Sequence, residues 1–480
     1  MLLFLAADAD AVHRSANEVR VHLLAPDDLL GRLPARAWRE TLAQPQDRWL
    51  RDPEHRMAIR HDALLTRIED ACRLLDTAHG PGNILRLSDV TDSAHGIKPY
   101  EGADVGPANP YIRPRRQLPP EAPEWKPLLD TTSFVGRYEL RWGDQQSYIK
   151  YGPWLARPRE ERYFERPKLL VQGIRNRRLR RRLVATFDDT KYYNRNNLNT
   201  IIAKTPVSAP TTAEPAISVS YDIKYLLALF NSRLLNYWFA RRSDNVNINP
   251  AYFRQLPICP ADEATQQGFS AIVDDLLAVH ATLNAWRERG YTIRTRSDGK
   301  THAEIPYDAL LTEVRATRSD LAAFSLYDAL TTGQVVIPAG VDLSATVSAN
   351  VFVPPRYPSS LVLRRSKLWL EVPDDQTRRY LAGYLRALRW RGKTWDEIKT
   401  EAMVWEDERG LSAFFAAEET RRREILQLAE RASALDAQLD EMVLDLYGIT
   451  GDLDRERIIG SAPQVDEEDQ GEPTGSESTP

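Results

Sequence analysis

Six arginines, Arg175, Arg177, Arg178, Arg180, Arg181 and Arg182, fall within eight residues of a chain whose formal net charge is only −4. They lie in "KLLVQGIRNRRLRRRLVATFDDTKYYNRNNLNTII", between two apolar runs and ahead of a cluster of Tyr and Asn. Guanidinium groups at this density suit a polyanion, because each bonds phosphate or forks onto guanine O6 and N7. Six phosphate contacts would give a log–log salt slope of about −5. A solvated turn is the competing reading of a basic run taken alone. The tract Asp188 to Asn197 adds Tyr192 for stacking or phosphate, and Asn194 and Asn197 for adenine N6 and N7. Asn-rich loops are also ordinary turn chemistry.

The same theme recurs in "GIKPYEG" and "YIKYGPWLARPREERYFERPK", where Lys stands beside Tyr and beside Pro or Gly. Basic groups interleaved with aromatics suit nucleic acid, so Lys98, Lys150 and Tyr151 are candidates to track a phosphate backbone. A surface or packing role is equally compatible with each residue taken singly.

Catalytic constellations are sparse. Asn109-Pro110-Tyr111 lacks the second proline of the Asn-Pro-Pro-Tyr cradle that takes up an extruded adenine, and it lies in a Pro-rich loop, so it is a coincidence. No Gly-rich turn follows a strand in the manner of a nucleotide or methionine-derived cofactor site, and there is no GxSxG. Asp374, Glu397 and Lys399 have the spacing of a metal-dependent nuclease, in which two carboxylates hold Mg²⁺ beside a Lys. That chemistry needs adjacent strands, whereas "KTWDEIKTEAMVW" reads as a helix; a Mg²⁺-dependent DNA nuclease is the alternative function. Cys72 and Cys259 are too few and too far apart for a disulfide framework or a thiolate zinc site, and the eight histidines show no ligand spacing. No metal site is expected.

The basic run needs strands to carry it. Between about Pro81 and Ile258, "NILRLSDVT", "FVGRYEL", "SYIKYG", "KLLVQGI", "LVATF" and "NTIIAK" are short β-type runs separated by Gly, Pro and Asn. If Lys168–Ile174 and Leu183–Phe187 are adjacent strands, the arginines cluster at their connection. "GIKPYEGADVGPANPYIRPRRQLPPEAPEW" carries enough Pro to be an extended loop. "YDIKYLLALFNSRLLNYWFARR" reads as one amphipathic helix capped by Ser220, and Ala264 to Arg289 as a second. A long helix from about Leu411 to Tyr447 is expected to pack on the second.

The expected class is α/β: a mixed-sheet domain with a helical C-terminal portion and an inserted α+β module. By segment, 1–25 carries "NEVRVHLLA", strands without a partner; 26–80 is a helical linker; 81–262 is the β-rich domain; 263–290 and 411–450 are the helical portion; 291–410 is the insertion; and 460–480 is a disordered acidic tail. From Gln464 to Pro480 there are six acids and no base. At 480 residues, with 42% hydrophobic and 28% charged content, the chain has a globular composition and more than one core. The apolar start Met1–Ala7 is too short to cross a bilayer and has no signal-peptide flank, so a cytoplasmic location is expected.

Taken in order, "GIKPYEG", "YIKYGPWLARPREERYFERPKLLVQGI", "LVATFDDTKYYNRNNLNTII", "YDIKYLLALFNSRLLNYWFARR", "NINPAYFRQLPICP" and "LDEMVLDLYGIT" resemble the TaqI-like C-terminal specificity domain of adenine-N6 DNA methyltransferases and fused restriction-modification enzymes. The resemblance covers 81–262 closely, and 263–290 and 411–450 more loosely. It implies recognition of double-stranded DNA within a restriction-modification system, alongside a methyltransferase domain or subunit that binds S-adenosylmethionine and flips adenine from the duplex. "NEVRVHLLA" is similar to the last strands of such a methyltransferase, so the chain is expected to be a specificity part without catalytic or cofactor motifs of its own. On this footing Arg175, Arg177 and Arg178 bind phosphate or guanine, Lys98, Lys150 and Tyr151 follow the backbone, and Tyr192, Asn194 and Asn197 reach base edges.

Overall fold

A computed structural model describes residues 12–13, 17–23, 40–45, 62–74, 84–100, 110–118, 123–142, 146–176, 179, 181–204, 220–243, 245–295, 301–339, 341, 351–354, 357–363, 368–387 and 394–460. The chain divides into two compact units, Met1–Asp70 and Ala71–Pro480. The acidic tail 461–480 lies outside the described residues. No described helix is long and apolar enough to cross a membrane.

In the first unit, β1 (Glu18–Leu23) pairs antiparallel with β2 (Glu40–Pro45), from Glu18↔Pro45 to Leu23↔Glu40. Both sequence expectations for this region change. β1 has a partner, and that partner comes from the segment expected to be wholly helical, of which α1 (Ala63–Asp70) is a helix. "ETLAQP" has no 3.6-residue apolar periodicity, and a strand suits it once a neighbour supplies the hydrogen bonds.

The second unit contains two four-stranded sheets. The first has the order β10 (Ala185–Asp188), β9 (Lys168–Gln172), β12 (Leu198–Ala203), β3 (Thr91–His95), and every pair is antiparallel. β9 is buried on both faces, which is why "KLLVQ" reads as a continuous run rather than an alternation. The second has the order β11 (Tyr193–Asn194), β5 (Trp125–Leu129), β8 (Ser147–Lys150), β4 (Ile112–Pro114), and it is mixed because β11 runs parallel to β5. Neighbouring residues of β5 serve opposite cores. Leu128 joins Ile97, Ile149, Leu155, Phe164 and Tyr193, whereas Leu129 joins Val135, Leu170 and Leu198.

The helix expected over 221–242 is two: α2 (Ile223–Asn231) and α3 (Arg233–Arg242). Ser232, with extended backbone, separates them; its hydroxyl donates to Leu229 O and accepts from Leu235 N–H. Asp222, not Ser220, caps α2. The break turns two asparagines toward the outer strand β10. The Asn231 amide exchanges hydrogen bonds with both backbone groups of Ala185 (2.9 and 3.0 Å), and the Asn236 amide does so with Leu183 (2.6 and 3.3 Å). Two side chains thereby satisfy backbone groups that an edge strand would otherwise expose.

α4 (Glu263–Glu288) and α5 (Glu408–Leu446) pack on each other, as their spacing predicts. Between them lies a mixed segment with a hairpin Thr292–Thr295/Thr301–Glu304, a three-stranded sheet Val351–Phe352/Ser360–Leu363/Leu368–Glu371, and helices Tyr307–Thr317, Asp375–Ala387 and Trp395–Glu401. Sheets and helices together make the unit α/β in class.

Candidate nucleic-acid interface

β9 and β10 are paired, so the basic run is their connection. Its described members nevertheless turn inward. Arg181 is buried and bonds Asp436 (3.0 Å), Asp440 (2.9 Å) and Asn231 O (3.2 Å). Arg182 is buried over the Phe239 ring and donates to Ser243 O and Asn245 O. Arg175 donates to Gln172 Oε1 (2.9 Å) and Arg181 O (3.0 Å). The expectation that these arginines project together toward DNA is corrected for Arg175, Arg181 and Arg182. The end of the connection, Arg181 to Leu183, packs against α2, α3 and α5, where a guanidinium persists only with partners. Arg177, Arg178 and Arg180 lie outside the described residues.

The partners of Arg181 form a buried ionic knot. The turn between β6 (Val135–Gly136) and β7 (Glu139–Leu140) brings Arg137 onto Asp436, and α3 brings Arg233 to within 3.1 Å of Asp440. Burial pushes the Asp436 carboxyl upward, but Arg137 and Arg181 prevail and hold it at about 2. Burial raises Asp440, which Arg181 only partly offsets. Arginines from three elements of the sheet region thus fasten it to α5.

Asp188 governs the Tyr and Asn tract. It is fully buried against Lys168 (Nζ–Oδ2 2.5 Å), which also donates to Phe164 O. Burial lowers the Lys168 ammonium, although Asp188 pulls it the other way. Asp188 then accepts from Thr190 N–H, Thr190 Oγ1–H and Tyr192 N–H. This clamp holds Lys191 at φ +66, a left-handed conformation costly for a residue with a Cβ. Asn194 is wholly buried: its amide donates to Leu198 O and accepts from Thr200 Oγ1–H. It is therefore an internal strut, and its expected base contact is corrected. Asn197 donates to Asp130 O (2.9 Å), half-buried, and steadies the loop ends.

A basic and aromatic surface lies instead on the second sheet. Register places Arg113, Tyr148 and Pro127 in one row and Lys150 beside Trp125, all on the face opposite Ile149 and Leu128. Arg113 lies over Trp125 (5.6 Å), Arg115 over Tyr148 (5.7 Å) and Lys150 over Trp154 (5.7 Å). Trp142 meets Tyr148 and Tyr192 edge-on at 5.1 and 5.2 Å, continuing the row to the tract that Asp188 holds. Trp154 folds back over Gly152, where a Cβ would stand 2.3 Å from the indole, and its Nε1–H donates to Lys150 O. Cation–ring pairs orient the charges while Arg113 and Arg115 remain exposed, a form suited to phosphate.

Of the residues expected to act, Lys150 and Tyr192 join this face. Tyr151 packs on the opposite core and donates to Arg159 O (2.6 Å), so it does not share the face of Tyr148, and Lys98 forms a backbone bridge with Arg157. Arg113, Arg115, Trp125, Trp142, Tyr148 and Trp154 were not singled out by sequence. "YIRPRR" and "SYIK" carry their signal, but only strand register shows that they share a face.

The nuclease-like residues do not assemble. Asp374 caps the helix Asp375–Ala387 by accepting from Thr377 N–H, and Glu397 closes a capping box with Thr394. Lys399 pairs with Asp396. Among the described residues no group of His, Cys, Asp and Glu could hold a metal ion. The cysteines, far apart in sequence, meet in space: a hydrogen bond with Cys72 lowers the buried Cys259 thiol, which lies 3.4 Å from Ala71 O.

No curated protein matches the chain. Among solved structures, a Type I restriction-modification system S subunit from M. genitalium is similar at 12% identity and TM-score 0.33, covering 78% of this chain and 97% of that one. The ATP-dependent Type ISP restriction-modification enzyme LlaBIII, bound to DNA, is similar at 8% identity and TM-score 0.28, covering 78% of this chain and 24% of that one. The family model of the TaqI-like C-terminal specificity domain matches residues 126–258, narrower than the 81–262 expected, and spans β5 to the end of the segment that follows α3. Residues 126–258 of this chain are a TaqI-like C-terminal specificity domain.

Proposed function

We propose that this chain recognises double-stranded DNA as the specificity part of a restriction-modification system. The observation that carries the reading is the family match over 126–258. The cation–aromatic face of Arg113, Arg115, Trp125, Tyr148 and Lys150, of which Tyr148 and Lys150 lie inside that stretch and the other three just before it, supports it by supplying positive charge held against aromatic rings. In this reading the chain works with a methyltransferase that acts on adenine N6, either elsewhere in the same polypeptide or as a separate subunit. That methyltransferase binds S-adenosylmethionine and receives the flipped base, while this chain supplies backbone contacts and base choice.

Fluorescence anisotropy of the purified chain with labelled duplex DNA, across salt concentrations, tests the reading. Steep weakening with salt and enrichment of a defined motif from a randomised duplex pool are expected. Absence of binding at low salt rejects the proposal. Addition of the methyltransferase and labelled S-adenosylmethionine then tests adenine modification, which should require both components.

A further inference from the structure

The segment entering the basic run forms a short two-stranded ribbon with the segment after α3. Ile174 bridges Asn247, Arg175 N–H donates to Val246 O (3.1 Å), and Ile248 N–H donates to Gly173 O (2.8 Å). Ile174 and Asn247 are thus a non-hydrogen-bonded antiparallel pair, the type whose side chains stand closest on one side. Val246 points to the other side.

The ribbon is firmly held yet open. Asn199 donates to Ile248 O (2.6 Å), Arg182 donates to Asn245 O, and Gly173 fits against Asn197 O, where a Cβ would stand 2.5 Å away. Even so, Ile174 is 57% exposed and Val246 45%. In the described part of 126–258 the exposed large hydrophobics are these two, Tyr252 and Trp154. Tyr252, on the short helix Pro250–Phe253, adjoins the ribbon, since its hydroxyl accepts from Asn245 Nδ2 (3.0 Å). Exposed asparagines at 245 and 247 complete the surface.

We infer that this ribbon, resting on the DNA-recognition reading above, enters the major groove and selects A·T pairs. A two-stranded ribbon fits that groove; an Asn amide pairs with adenine N6 and N7, and an aliphatic side chain packs on the thymine methyl. Among the described residues of the ribbon, Arg175, opposite Val246, offers no guanine-reading fork, because its guanidinium is directed to Gln172 Oε1 and to Arg181 O. Asn247 and Ile174, adjacent on one side, are the specificity-determining pair, and the cation–aromatic face supplies affinity that does not depend on sequence.

The test is motif enrichment from a randomised duplex pool with the full chain, Asn247→Ala and Ile174→Ala, followed by titration of the enriched duplex with uracil in place of each thymine. Both residues are exposed, so the variants should melt with the wild type. Asn247→Ala should lose preference at one A·T position by about 5- to 100-fold, with its salt slope unchanged. Uracil should weaken wild-type binding at a position next to it, and Ile174→Ala should no longer distinguish uracil from thymine. Unchanged preferences in both variants, or a motif of G·C pairs only, overturns the inference and leaves DNA recognition standing. A wild-type chain that binds DNA without enriching any motif, or does not bind, overturns the recognition reading itself.

Discussion

Asp436→Asn removes one negative charge from a buried cluster in which Arg137, Arg181 and Arg233 face Asp436 and Asp440. The Asp436 carboxyl titrates at about 2 in the folded chain, against roughly 3.9 when unfolded. That gap corresponds to roughly 2 to 3 kcal/mol of stability. Because the folded value is the lower one, the contribution is complete above about pH 5 and disappears as the pH falls toward 2. Removing one partner of a buried pair costs roughly 3–5 kcal/mol, so Asp436→Asn should lose about 3 kcal/mol at pH 7. At pH 3 the wild-type contribution falls to about half, and the difference between the two proteins should narrow with it. Asp440→Asn should cost less at pH 7, because burial has already raised that carboxyl and Asn still accepts from the Arg233 N–H. Urea denaturation followed by near-ultraviolet circular dichroism at pH 7 and pH 3 measures all three proteins. An Asp436→Asn chain within about 0.5 kcal/mol of wild type, or a difference that stays constant with pH, would refute the reasoning.

Other consequences are open to measurement. Asp188→Asn strands Lys168 without its counter-charge and should destabilise the chain by roughly 3–5 kcal/mol, part of which Lys168→Met in the same chain should restore, as a urea midpoint will show. Arg113→Gln and Arg115→Gln should each reduce the salt slope of DNA binding by about 1 while leaving the melting temperature unchanged, because both side chains are exposed. Gly152→Ala drives a methyl into the Trp154 indole; red-shifted tryptophan emission and weaker DNA binding should follow. Glu397→Ala should cost about 0.3–1.5 kcal/mol as a lost helix cap and leave plasmid DNA as intact or as cut as the wild type leaves it.

Periodicity alone located α4 and α5, and the paired strands on either side of the arginine run follow from their apolar character. The direction of those arginines does not. Arg181 meets Asp436 and Asp440 more than 250 positions downstream, and nothing local separates a guanidinium aimed at a phosphate from one aimed at a carboxylate. The cation–aromatic face was equally hidden, since "YIRPRR" and "SYIK" align only through the register of β4 and β8. The break at Ser232 was missed because the apolar spacing continues across it, while a single hydroxyl serves both helix ends. Asn194 shows the reverse error: an asparagine beside a tyrosine invites a base contact, yet its amide is consumed by Leu198 and Thr200.

The amides of Asn231 and Asn236, lying along the outermost strand of the first sheet, have a bearing on assembly. They imitate a neighbouring chain, so the main-chain ladder at Leu183 and Ala185 ends there, with nothing for a foreign strand to zip onto. A companion subunit approaching at Leu183 and Ala185 would have to dock through side-chain shape and charge, because the outward backbone groups of those two residues are already taken.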